Sequence, residues 1–121
     1  MNDFDSSALL AYLKSEVGGA VVRERLADGG VCSAANWSEV AQKLLGSGNP
    51  WPAARALLLG FGLVIEPATM EDAEFAARLW DTGSNLSLAD RLCLALGARL
   101  GAEILTCDKQ WSGRPGVVLV R

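Results

Sequence analysis

Short apolar and β-branched runs alternate along this chain with longer stretches whose apolar residues recur at helical spacing. That alternation is the sign of a parallel sheet with crossover helices. The first strand is short, Asn2–Phe4, and passes through Asp5 and Ser6 into a helix predicted over 7–16, with Leu9, Leu10, Leu13 and Val17 on one stripe. Gly18-Gly19 ends it, and a second helix over 20–27 stops at Asp28-Gly29-Gly30. A strand over 31–33 leads into a helix over 34–45 striped by Trp37, Val40, Ala41, Leu44 and Leu45. After the break at 46–50, helix resumes over 51–59 with Pro52 in its first turn. Leu63–Glu66 reads as a third strand, closed by Pro67, and Thr69 caps a helix running to about 80. Ser87 and Asp90 form the start of a helix over Leu88–Leu100, in the manner of a capping box with Asp for Glu. Strands at Glu103–Thr106 and 116–120 complete the series. The economical fold is a three-layer α/β/α sandwich around a mostly parallel five-stranded sheet, in one domain over 1–121.

Composition narrows the chemistry. The 121 residues are 50% hydrophobic and 21% charged, which excludes a disordered chain and suits a single core. The apolar surplus suggests that part of the surface is covered by another chain. Histidine is absent, so Ser-His-Asp triads, Cys-His dyads and His-ligated zinc are excluded. Cys32, Cys93 and Cys107 have no paired motif spacing and each sits in an apolar run, as buried reduced thiols do. No stretch is apolar enough for a membrane span, and the polar, acidic N-terminus is unlike a signal peptide, so a cytoplasmic protein is expected. The net charge of −3 argues against a broad basic face for nucleic acid. It does not exclude a nuclease whose carboxylates hold cations.

In open parallel sheets, function collects beyond the carboxyl ends of the strands. Asp5 follows the first strand, Asp108 follows the fourth, Glu39 lies in the helix leaving the second, and Asp90 lies in the first turn of the helix feeding the fourth. The topology can carry all four to one edge. Bare anions that close raise one another's pKa steeply, and a hard divalent cation, Mg²⁺ or Mn²⁺, relieves them. Each has a plainer reading as well. Asp5 can be a helix cap, Asp90 the capping-box partner of Ser87, Glu39 half of a surface pair with Lys43, and Asp108 a turn residue before Lys109. Glu39 stands about 200° around its helix from Trp37, off the core stripe.

The words around these residues carry more information than the residues alone. They are Asp5-Ser6-Ser7-Ala8-Leu9-Leu10, Ser33-Ala34-Ala35-Asn36-Trp37-Ser38-Glu39-Val40, Leu86-Ser87-Leu88-Ala89-Asp90-Arg91-Leu92-Cys93 and Ile104-Leu105-Thr106-Cys107-Asp108-Lys109-Gln110-Trp111. In this order and spacing the chain resembles a PIN-domain ribonuclease, specifically the VapC-type toxin of a bacterial toxin–antitoxin pair. The resemblance implies a Mg²⁺- or Mn²⁺-dependent endoribonuclease with Asp5, Glu39, Asp90 and Asp108 as its catalytic and metal-holding carboxylates. It also implies Ser6 and Thr106 as supporting hydroxyls, a VapB-type antitoxin as partner, a homodimer, and contact with DNA only through the antitoxin.

Arg91, Lys109 and Arg114 neighbour these residues in sequence and are candidates for RNA phosphate contacts, with Trp111 a candidate for base stacking or core. Trp51, Leu57, Leu58 and Phe61 crowd the helix after Pro50 and are candidates for an apolar groove that receives an antitoxin helix. Three other readings compete. Asp3-Phe4-Asp5 resembles the opening of haloacid-dehalogenase-type phosphatases, with Asp3 and Asp5 as the working pair. A response-regulator receiver fits length and class but lacks a phosphoacceptor Asp after the third strand. A catalytically inactive PIN-like interaction protein keeps the fold without the reaction.

Overall fold

The computed structural model describes residues 1–121. Its five strands, β1 (Asn2–Phe4), β2 (Gly30–Ser33), β3 (Leu63–Glu66), β4 (Glu103–Thr106) and β5 (Val117–Leu119), form one sheet in the order β3-β2-β1-β4-β5. Every pairing is parallel. Six helices connect them: α1 (Ser6–Leu13), α2 (Gly19–Leu26), α3 (Ala34–Gly46), α4 (Trp51–Gly60), α5 (Met70–Arg78) and α6 (Leu88–Leu100). The chain builds outward from β1 through β2 to β3, then returns to the other side of β1 with β4 and β5. The seam between β1 and β4 is thus the point where strand order reverses, the place where open α/β sheets hold ligands.

All the predicted elements are present. The largest differences lie at helix ends: α1 stops at Leu13 rather than 16, and α5 stops at Arg78 rather than 80. Lys14 closes α1 and Ser15 takes a positive φ of 53°, turning the chain three residues early.

Alternation along the strands sorts the core onto two faces. Phe4, Cys32, Leu63 and Leu105 join residues of α1, α2, α3 and α4 in the larger cluster, whereas Ile104 packs with Cys93, Leu94 and Trp111 in the smaller one. All three cysteines are free and buried, as expected. No helix is long and apolar enough to cross a membrane.

β1 is buried throughout although two of its three residues are polar. Asn2 exchanges hydrogen bonds with Arg25, its Nδ2 donating to the Arg25 carbonyl (3.2 Å) and its Oδ1 accepting from the guanidinium (3.0 Å). Asp3 has no charged partner; its oxygens lie 3.7 and 3.8 Å from the Cys93 thiol and against the Gly97 backbone. Burial pushes its carboxyl up to about 8, which favours the neutral acid.

Gly18 ties the α1–α2 turn to the end of the sheet. It has φ +92°, and a Cβ there would lie 2.6 Å from the Val120 carbonyl oxygen, a backbone atom unable to yield. Gly18→Ala is expected to destabilise the fold by about 2 kcal/mol or more, from left-handed strain and overpacking together. Urea unfolding of the two proteins measures this.

Candidate active site

Asp5 leaves the end of β1 and caps α1. Its backbone N–H bonds the Leu105 carbonyl across the seam (3.1 Å), and its Oδ1 accepts from the Ala8 N–H (2.8 Å). The cap reading is therefore correct but incomplete, because two hydroxyls also converge on the carboxylate. Thr106 donates to Oδ2 at 2.6 Å, and Ser7 reaches both oxygens at 2.8 and 2.9 Å. Proton direction is set from behind. The Cys107 N–H donates to Ser7 Oγ (2.9 Å) and the Asp108 N–H to Thr106 Oγ1 (3.0 Å), so each hydroxyl accepts from the backbone and spends its one proton on Asp5. Asp5 is 3% exposed. Burial pushes its pKa up to about 6, Asp90 adds to the rise, and the Thr106, Ala8 and Ser7 bonds hold it down.

Glu39 is supported by a second chain of polar contacts at the start of α3. Ser33 caps the helix by accepting from the Asn36 N–H (3.1 Å) and donates to Asn36 Oδ1 (2.7 Å). Asn36 Nδ2 then donates to Glu39 Oε1 (3.1 Å), which also accepts from Ser6 (2.9 Å). The expected alternative, an ion pair with Lys43, does not form: the ion pairs of the chain are Arg25–Glu103 and Arg99–Asp72.

Asp90 is held by the capping box, its Oδ2 accepting from the Ser87 N–H (3.0 Å). Asp108 caps the short turn Lys109–Trp111, its Oδ1 accepting from the Gln110 N–H (2.9 Å). Burial raises the pKa of Asp90, and the charges of Glu39 and Asp108 raise it further. The carboxylates lie within electrostatic reach of one another near the carboxyl edge of the sheet, Asp90 feeling Glu39 and Asp108, and Asp5 feeling Asp90. In Glu39, Asp90 and Asp108, the chain's own support engages one oxygen of each carboxylate.

This all-oxygen donor set is the kind a hard divalent cation takes. The side chains stand apart, however: no three of them gather closely enough to hold a metal ion. The donors fit Mg²⁺ or Mn²⁺ in chemistry.

A family model for the PIN domain matches residues 4–116. This chain belongs to the PIN domain family. Among solved structures, this PIN domain is similar to a chain of a toxin–antitoxin complex from Klebsiella pneumoniae, with a TM-score of 0.80 and 21% identity over 100% of this chain and 98% of that one. It is also similar to Mycobacterium tuberculosis VapC20, described as a toxin cleaving the sarcin–ricin loop, with a TM-score of 0.73 and 17% identity over 95% of each chain. No curated protein matches it.

Several expectations need correction. Arg91 does not turn toward the carboxylates: its guanidinium donates to the Ala76 carbonyl (2.9 Å) and bridges α6 to α5. Arg114 lines an apolar cavity of about 450 Å³ with Phe75, Leu79 and Leu94, on the α5–α6 side of the sheet. Trp111 is wholly buried core and stacks no base. Lys109 is exposed beside Asp108. Asp3, wholly buried against α6, cannot reach a phosphate, which removes the phosphatase pair.

On α4, Leu58 is wholly buried. Trp51 packs edge-on against Trp37 (5.0 Å) and Phe61 against Tyr12 (5.7 Å), so much of the crowded apolar surface serves the domain's own core. Leu57 remains 48% exposed and lines a groove of about 340 Å³ with Leu13, Leu44, Pro50 and Ala54.

Ser7 and Asn36 were not anticipated. Their signals are local: Ser7 stands two residues after a capping Asp, and Asn36 sits three residues from both Ser33 and Glu39, one helical turn each way. Thr106→Val keeps the shape of the seam but removes a bond to the charged form of Asp5. The pH midpoint of Mn²⁺ binding, followed by calorimetric titration from pH 5 to 8, is expected to rise by about one pH unit, since Asp5 must lose its proton to ligate.

Proposed function

We propose that this protein is a metal-dependent endoribonuclease that acts as the toxin of a VapBC-type toxin–antitoxin pair in the cytoplasm. The observation that carries this reading is the placement of Asp5, Glu39, Asp90 and Asp108, from four distant parts of the chain, within electrostatic reach of one another near the seam edge, with Asp5 held by Thr106, Ser7 and the Ala8 N–H. Membership of the PIN domain family supports it, as does likeness in fold to chains described as parts of toxin systems.

Asp5, Asp90 and Asp108 would hold Mg²⁺ or Mn²⁺, with Glu39 as a further ligand or as the group that orients the attacking water. When bound, the cation supplies charge neutralisation at the phosphate and acidifies water. The chain's own contribution is positional. Thr106, Ser7 and the Ala8 N–H fix the Asp5 carboxylate, the capping box fixes Asp90, and Ser6 with Asn36 turns Glu39 Oε1 inward. With no histidine in the chain, a proton lost by the attacking water would pass to a carboxylate, and Glu39, held by Ser6 and Asn36, is a candidate to take it. Lys109 is the remaining expected cation at this edge and would contact RNA phosphate beside Asp108.

The groove beside Leu57 is the place for an apolar antitoxin helix, and a second copy of the chain is the expected oligomeric partner.

Purified protein with Mn²⁺ is expected to cleave RNA, and Asp90→Asn to reduce cleavage to background. Its thermal midpoint should change little, because Asn retains a capping oxygen for the Ser87 N–H. Cleavage undiminished in Asp90→Asn would remove Asp90 from the site. An inert wild-type protein that still binds its partner would favour a PIN-like interaction protein.

A further inference from the structure

A second feature adjoins the carboxylate edge and shares two residues with it. Ser7 and Cys107 line a trough of about 640 Å³ together with Lys14, Glu16, Lys43 and Arg121. Three cations and one carboxylate therefore line a single depression in a protein whose net charge is −3. None of the three is neutralised by an ion pair, since the chain's ion pairs lie at Arg25–Glu103 and Arg99–Asp72. Lys14 and Lys43 are both exposed.

Their placement follows from the helices that start at the acidic edge. Lys43 is one turn beyond Glu39 on α3, on the same side of that helix. Lys14 is two turns beyond Ser7 along α1, about 10 Å at 1.5 Å per residue. Both helices thus lead from carboxylates to ammonium groups along one depression. A ligand spanning the two regions must bring an anionic group to the cations and a reacting group to the carboxylates. A polyanion with repeating phosphates does both, one phosphate at the acids and its neighbours in the trough.

Lys14 borders both this trough and the apolar groove beside Leu57. A protein helix would therefore take the apolar depression and leave the cationic one to nucleic acid.

We propose that Lys14, Lys43 and Arg121 form a phosphate-binding trough for single-stranded RNA to one side of the cleavage point, with Ser7 marking where the trough meets the catalytic carboxylates. This rests on the ribonuclease reading above and adds to it the strand's path and the residues that hold it.

The test uses the full chain with Asp90→Asn, so that RNA is bound without being cut, and a fluorescein-labelled mixed-sequence single-stranded RNA of about 16 nucleotides. Anisotropy is measured between about 50 and 200 mM KCl. Adding Lys14→Ala and Lys43→Ala is expected to weaken binding about ten-fold at the low-salt end. The log–log salt slope should fall by about 1.4, at ~0.7 per lost phosphate contact. Arg78→Ala, on α5 far from the trough, should change neither.

If the double variant keeps the affinity and slope of its parent while wild-type protein cleaves RNA, the trough proposal is wrong and the ribonuclease reading stands. The trough proposal is equally wrong if RNA binding is kept and binding of poly-L-glutamate is lost, which would make the trough a protein-docking site. If the parent binds no RNA and the wild type cleaves none, the ribonuclease reading itself fails.

Discussion

A single buried carboxylate organises the working edge of this PIN domain. Asp5 sits where strand order reverses, in surroundings that favour its neutral form, and three donors hold it charged nonetheless. The contest between burial and hydrogen bonding leaves its pKa near 6, low enough for an anion at neutral pH. Thr106 and Ser7 donate to it from β4 and α1, and the backbone after β4 donates to both hydroxyls. Displacing the end of β4 would therefore alter the charge state of Asp5 as well as its position.

The other acids are each anchored by the start of their own helix or turn. Ser33 and Asn36 hold Glu39 through α3, Ser87 holds Asp90 through α6, and Gln110 holds Asp108 through the turn after β4. Helix N-termini carry partial positive charge, so gathering three helix starts and a turn at one edge offsets some of the repulsion among four carboxylates. Farther along α1 and α3 the exposed charge changes sign, at Lys14 and Lys43. Acidic and basic side chains thus lie side by side at one end of the molecule, despite the modest net charge.

Elements with strong local signals were legible in the sequence. The Leu63–Glu66 run between Gly62 and Pro67, the capping box at Ser87 and Asp90, and the stripe on α3 determine their structures within a few residues. Asp5, Glu39, Asp90 and Asp108 stand out together in the sequence because the words around them keep family order, not because any one is distinctive. The cationic residues read poorly, because adjacency in sequence says little about direction in space. Arg91 follows Asp90 directly, yet a step of about 100° around α6 turns it onto α5. Lys14 and Lys43 each stand a turn or two beyond a carboxylate word on the same helix or its end, yet only the fold shows that they line one trough beside Ser7.

By itself, the sequence determined the alternation of strands and helices, the parallel sheet and the family, since these depend on periodicity, caps and short-range pattern. Only the tertiary structure decided which groups meet across the sheet. Thr106 and Ser7 reach Asp5 because β4 lies beside β1. Asp3 favours its neutral form because α6 covers it, while Asp5, two residues on, lies past the end of the strand. Those outcomes depend on strand order and on the face each side chain takes, and contacts between residues a hundred positions apart leave no mark in local pattern.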